Sequence, residues 1–223
     1  MNITVEQTLE MPNAVLIARE LDAALKAEQK KRKHFYKIID ESKKMEFING
    51  EIHFQSPAKL WHTQAVGNLS QLLAAYVAKK HLGIVATEKL LISLSRNDYE
   101  PDVCFFNIEK SKNFTPRQMQ FPAPDFVVEV LSESTERHDR ITKFQDYAAH
   151  GITEYWIVDP EHEFIEQFVL KGSEFELVLK SKDGQIESVA VDGFAVPIKA
   201  VFDTAEWISV LKRILGQSDD DPK

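Results

Sequence analysis

One α/β domain built around a mixed β-sheet flanked by helices, with an added β-hairpin, is the architecture the sequence predicts. Three observations carry that expectation. Helical periods alternate with β-rich runs, two of those runs are almost wholly apolar, and no segment reads as a linker. Apolar runs such as DVCFFNI and DFVVEVLS belong to strands covered on both faces. No period of about 20–50 residues recurs, which excludes solenoids and propellers.

The chain has 223 residues, 43% hydrophobic and 28% charged. A chain of this size buries roughly 70% of its unfolded surface and needs no staples. The single cysteine, Cys104, cannot close an internal disulfide and suits a reducing compartment. A net charge of −8 sets the average surface against polyanions. A non-specific nucleic-acid coat is therefore excluded, and any nucleic-acid site needs a local positive patch, for which Lys30 to His34 and Lys79 to His81 are the candidates. No apolar run approaches the roughly 20 residues that span a bilayer. The segment MNITVEQTLEMP lacks the basic start and apolar stretch of a secretory signal, so the expectation is a cytoplasmic protein with no membrane partner.

The first element expected is a helix from Asn13 to about His34, with Ile17, Leu21, Ala24 and Leu25 at helical spacing and Asn13 as N-cap. Its basic end, KAEQKKRKH, reads as a solvated face. MEFINGEIHF follows as a strand pair turned at Asn49-Gly50. After Ser56-Pro57, Leu60 to His81 forms the longest helical pattern, with Trp61, Ala65, Leu69, Leu72, Leu73 and Tyr76 on one stripe and Gly83 as the stop. Three β-rich runs come next: IVATEKLLISLS, DVCFFNI and DFVVEVLS. A helix from about Glu136 to Ala149 is expected to face inward through Ile141, Phe144 and Ala148. EYWIVDP is a buried strand, EFIEQFVL and EFELVLK form a hairpin at Lys171-Gly172, IESVAV reads as an edge strand, and TAEWISVLKRIL closes the fold as a helix.

Many common chemistries are absent. The glycines form neither GxGxxG nor GxxxxGK, the histidines never fall at zinc spacing, and no GxSxG elbow is present. What remains is carboxylates at strand ends. Asp102 follows Pro101 at the mouth of one apolar strand, and Glu129 sits among Val127, Val128, Val130 and Leu131 in another. A glutamate in such a run must be paired, protonated or holding a cation, because burying its bare charge costs several kcal/mol. Two acids on neighbouring strands can share a hard divalent cation. Asp125 echoes Asp102; it reads first as the cap of its own strand and is the main rival for the metal-binding role. By pattern alone Lys143 is a surface lysine paired with Asp139, Tyr147 is a core aromatic, and Cys104 is a small buried hydrophobe.

The strings YEPDVCFF, PAPDFVVEVLSEST and the later DR, K, Y and EYWIVDP pattern resemble the Uma-two family, nucleases with the restriction-endonuclease-like PD-(D/E)XK fold. EFINGEIHFQSPAKLWH and DGFAVPIKAVF also resemble family segments. The resemblance spans roughly Phe35 to Phe202 and implies an endonuclease-like domain at 35–215; the helical extension at 1–34 lies outside it, and by composition 216–223 is expected to be an acidic, disordered tail. The resemblance also implies Asp102 and Glu129 as metal-binding acids. The lysine that the parent motif places two residues after the glutamate is replaced by Leu131, and its role falls to Lys143 on the next helix. Glu51, Glu46 and Glu88 are candidates to complete the metal shell, and His62 to contact a phosphate or position Glu51.

The expected function is then Mg²⁺-dependent phosphodiester hydrolysis (Mn²⁺ as substitute) with nucleic acid, chiefly DNA, as partner, carried out by a homodimer. The alternative keeps the fold as a catalytically silent module for binding or homo-oligomeric assembly. A glycosidase would need a sugar cleft lined by exposed aromatics, and the tryptophans sit in apolar patterns instead.

Overall fold

The computed structural model describes residues 4–40 and 42–216. The expected acidic tail lies outside the described residues beyond Gly216. In chain order come α1 (Val5–Leu9), α2 (Ala14–Ile38), β1 (Met45–Ile48), β2 (Glu51–Phe54), α3 (Leu60–Lys80), β3 (Gly83–Thr87), β4 (Leu91–Ser93), β5 (Asp98–Tyr99) and β6 (Val103–Asn107). Next are α4 (Ile108–Ser111), β7 (Gln120–Phe121), β8 (Phe126–Val130) and a π-helical turn, His138–Lys143, leading into α5 (Phe144–Ala149). Then follow β9 (Glu154–Asp159), β10 (Phe164–Lys171), β11 (Glu174–Ser181), β12 (Gln185–Glu187), β13 (Ala195–Pro197), α6 (Lys199–Phe202) and α7 (Thr204–Gly216).

The expected α/β architecture is present. A six-stranded sheet in the order β11-β10-β9-β8-β6-β3 forms the centre, mixed because β8 and β9 run parallel while the other pairs are antiparallel. The apolar runs of β6, β8 and β9 occupy its middle, where both faces are covered. On one face Val103, Phe105, Phe126, Val128, Val130 and Trp156 pack against α3, α6 and α7. On the other, Cys104, Phe106, Val127, Tyr155 and Ile157 meet Tyr147 and Ala148 of α5. Each fully buried large side chain of this kind contributes about 1.5–3 kcal/mol.

A second, five-stranded sheet, β2-β1-β5-β4-β7, lies beside the first. Its β1–β2 hairpin turns at Asn49 and Gly50 with φ of 51° and 83°, the left-handed pair that an Asn-Gly turn provides. The run IVATEKLLISLS is divided between the two sheets: β3 joins the large one and β4 the small one. The division falls at Glu88, whose φ of 61° turns the chain out of the first strand. The segment IESVAV is not an edge of the main sheet; β12 pairs with β13 in a separate ribbon.

Helix boundaries also differ from expectation. The N-terminal helix runs to Ile38, because Phe35 is drawn into the core and Arg32 is bound by Asp98 at 2.6 Å. Asn13 makes no side-chain cap. Leu60 and Trp61 at the start of α3 are exposed, and its buried stripe begins at His62. The left-handed cap of α3 is His81, with φ of 55°. Gly83 instead opens β3, where a Cβ would fall 2.0 Å from the Phe106 carbonyl oxygen. Among the described residues, no helix is long and apolar enough to cross a membrane.

Candidate active site

The site is assembled where strand ends from both sheets meet the start of α3 and the π-helical turn. Asp102 ends the crossover from β5 to β6. Val103 pairs with Val128 and Cys104 with Val127, so the same register carries Asp102 opposite Glu129. Residues directly opposite in an antiparallel pair share a face. Asp102 Oδ2 accepts the Val130 N–H at 2.8 Å, which pins the carboxylate across the strand gap.

Around Asp102 three further groups converge. Lys44, just ahead of β1, places its Nζ 2.6 Å from Asp102 Oδ1 and 3.0 Å from Glu88 Oε2. His62, in the first turn of α3, brings Nε2 to 3.7 Å from Asp102 Oδ1. Glu88 is tied to the same residue through its backbone, donating its N–H to the Asp102 carbonyl at 3.1 Å. Its left-handed φ is the kind of backbone conformation that concentrates at functional sites.

Behind Asp102 lies a buried ionic cluster. Lys143 Nζ stands 3.0 Å from a carboxylate oxygen of each of Glu46, Glu129 and Asp139, with only 1% of its side chain exposed. Tyr147 OH donates to Glu129 Oε1 at 2.8 Å. The expectation of a surface lysine is therefore overturned. The reason is local: the buried stripe of the π-helical turn and α5 is Asp139, Lys143 and Tyr147, four residues apart, while Ile141 is exposed.

The charges set one another's protonation. Burial opposes the charge on Lys143, but Asp139, Glu129 and Glu46 outweigh it and hold the ammonium well above the usual lysine value. Burial pushes the Glu129 carboxyl well above the usual range; Lys143 resists, while Asp139, Asp102 and Glu46 add to the rise. Asp139 is raised for the same first reason. Asp102 goes the other way. Although it is buried, His62 and Lys44 hold it well below the ordinary carboxylate range. Burial also works against a charged His62, yet Asp102 raises its pKa above the ordinary imidazole value.

A cleft of about 350 Å³ opens onto Asp102, Glu129 and His62, with exposed Trp61 on its rim. A second opening, across the Gln55–Ala58 loop, is lined by Lys44, Glu88 and His62. The ligand atoms of His62, Glu88 and Asp102 lie within 4.8 Å of one another. Their chemistry fits a divalent cation: carboxylate oxygens suit Mg²⁺ or Mn²⁺, and an imidazole tilts the set toward the latter. The surrounding charge fits as well, because five carboxylates (Glu46, Glu88, Asp102, Glu129, Asp139) face two lysines.

Thus Asp102, Glu129, Lys143, Glu88 and His62 come together, although Glu129 stands outside the His62–Glu88–Asp102 group. Glu51 does not join them. It is exposed beside the hairpin turn and paired with Lys31 of α2 at 2.8 Å; Glu46 is the acid of that hairpin that reaches the cluster, and His62 lies against Asp102 rather than Glu51. Asp125 accepts from the Asn107 N–H at 2.8 Å and pairs with Lys110, a capping role at the far end of β8. Lys79 donates to the Ile214 carbonyl at 3.0 Å, so its ammonium serves the end of α7. Lys44 and Asp139 were not singled out by sequence as site residues. For Lys44 the available signal was its spacing two residues before Glu46, which puts both on one face of a strand.

Comparison with known proteins bears on the fold and the family. A solved structure described as a "putative nuclease belonging to DUF820" from Anabaena variabilis superposes with a TM-score of 0.64 over 79% of this chain and 96% of that one, at 18% identity. At that identity the likeness establishes the fold. An uncharacterized protein of Synechocystis sp. is 32% identical over 121 residues, which are 53% of this chain and 67% of the relative. The Uma2 family, described as "putative restriction endonuclease", matches residues 32–199. With three quarters of its length inside that match, the chain belongs to the Uma2 family.

Proposed function

We propose that the chain is a metal-dependent nuclease that hydrolyses phosphodiester bonds, with DNA as substrate and Mg²⁺ or Mn²⁺ as cofactor. The observation that carries this reading is the placement of Asp102 opposite Glu129 at the strand ends lining one cleft. Asp102, with Glu88 and His62 beside it and Glu129 across from it, is the set that would hold the cation. Lewis-acid activation of water and of a phosphoryl oxygen is the chemistry such a cation supplies when bound. The chain's own groups do the rest. Asp102 stays ionised because His62 and Lys44 favour its charge. Burial raises the Glu129 carboxyl, and a divalent ion beside it would favour its ionised, ligating form. Lys143 and Tyr147 hold that carboxylate in place. The N-terminus of the 21-residue helix α3 has no side-chain cap and borders the cleft, which favours a phosphate there. A homodimer would place two such sites on the two strands of a duplex.

The test is cleavage of supercoiled plasmid, single-stranded DNA and RNA with Mg²⁺ or Mn²⁺. The expected outcome is nicking by the wild-type chain and a loss of at least about 100-fold in Asp102→Asn, which stays folded. Wild-type protein inert on every substrate, or Asp102→Asn as active as wild type, would overturn the reading.

One observation favours a second reading. Glu133, Glu136 and Glu161 line the same cleft, and acids at a mouth repel a polyanion. A silent module for binding or assembly would keep the ionic cluster without turnover. Divalent cations would then leave the melting temperature unchanged, whereas a metal site raises it by mass action.

A further inference from the structure

Two lysines enter the acidic cluster in different states. Lys143 is enclosed by three carboxylates and sealed from solvent. Lys44 spans only two, Asp102 at 2.6 Å and Glu88 at 3.0 Å, and 14% of its side chain is exposed against 43% for Glu88. Those two acids belong to the group whose ligand atoms, with His62, lie within 4.8 Å of one another. A divalent cation at the ~2.1 Å spacing that Mg²⁺ requires from both oxygens would sit against the ammonium. Two positive charges at that separation repel strongly.

We propose that Lys44 and a divalent cation are alternative occupants of the space between Asp102 and Glu88. The lysine holds the two carboxylates together in the metal-free chain and swings into the adjoining opening when the ion enters. That opening exists: Lys44, Gln55, Ser56 and His62 line it, and His62 also borders the main cleft. The displaced ammonium is then free to meet a phosphate oxygen. Lys143 has no such exit, so the two lysines divide the work: one positions Glu129, the other yields its place. The inference rests on the metal-dependent reading of this site.

The experiment is calorimetric titration of Mn²⁺ and Mg²⁺ into wild type, Lys44→Met, Lys44→Arg and Asp102→Asn, each checked by melting temperature. Removing the competitor should tighten binding in Lys44→Met by about tenfold, because the competent state is then fully populated. Lys44→Arg should bind no better than wild type, and Asp102→Asn should not bind. Cleavage should fall in Lys44→Met although its metal affinity rises, a pairing that simple loss of structure does not produce. Equal or weaker metal binding in Lys44→Met overturns the exchange and leaves the metal site standing. No binding in either wild type or Lys44→Met overturns both. Should Lys44→Met fail to fold, ¹⁵N-lysine-labelled wild type decides: the Lys44 Nζ signal should shift on saturation with Mg²⁺ while that of Lys143 stays put. A stationary Lys44 signal sinks the proposal.

Discussion

On one face of β6 and β8, Val103, Phe105, Phe126, Val128 and Val130 lie under α3 with no charged side chain among them. On the other face the same two strands end in Asp102 and Glu129, facing Lys44, Lys143, Glu46 and Asp139. The apolar face stabilises the fold through burial that no pH change alters. The ionic face is held by mutual compensation, and its acids outnumber its bases. Concentrating like charges in a buried setting costs stability. The contrast places the buried charges at the strand ends of the face covered by the π-helical turn, not at the centre of the sheet.

The sharpest way to break that comparison is to remove the cation at the heart of the ionic face. Lys143→Met leaves Glu46, Glu129 and Asp139 uncompensated and should cost about 3–5 kcal/mol in urea unfolding at about pH 8. The loss should shrink toward pH 5 as the acids take up protons; a loss that does not vary with pH would mean the cluster is not ionised.

Val128→Ala probes the opposite face. It should cost about 2 kcal/mol, equal at pH 5 and pH 8, with metal binding and cleavage unchanged. A pH-dependent cost would show that the two faces are coupled.

Glu129→Gln comes next in size. A carboxyl whose folded pKa is raised favours the folded state when protonated, so its contribution to stability falls as pH rises from the unfolded value toward the folded one. Glu129→Gln, which never ionises, should melt higher than the metal-free wild type at about pH 8. The gap should close on acidification. A variant melting lower at about pH 8 would mean that Lys143 and Tyr147 fully compensate the charge.

Glu51→Ala sets the baseline. Its pair with Lys31 is exposed on both sides, so differential scanning calorimetry should register little change and cleavage should hold. A large effect on cleavage would return Glu51 to the site.

Much of this was legible in the chain itself. The apolar runs around Cys104 and Val128 marked central strands, and Asn49-Gly50 marked the hairpin, because a pleated core and a left-handed turn each demand particular residue types. Glu129 stood out because a charge among valines is a local conflict that needs a partner. The partners were harder to see. Lys143 looked solvent-facing when Ile141 was taken to mark the inward side; the buried stripe is instead Asp139, Lys143 and Tyr147, four residues apart, with Ile141 exposed. Lys44 lies 58 residues from Asp102, and no local pattern reports a contact of that span. Glu51 and Glu46 sit in one hairpin, yet only Glu46 is covered by the π-helical turn.

What the sequence by itself determined was the α/β order of elements and the presence of acids in strands that bury their surroundings, since period and polarity are local properties. Which cation answers each acid was decided only by the tertiary structure. Charge pairing depends on distances between elements far apart in the chain, and these exist only once the two sheets, α3 and the π-helical turn have packed together.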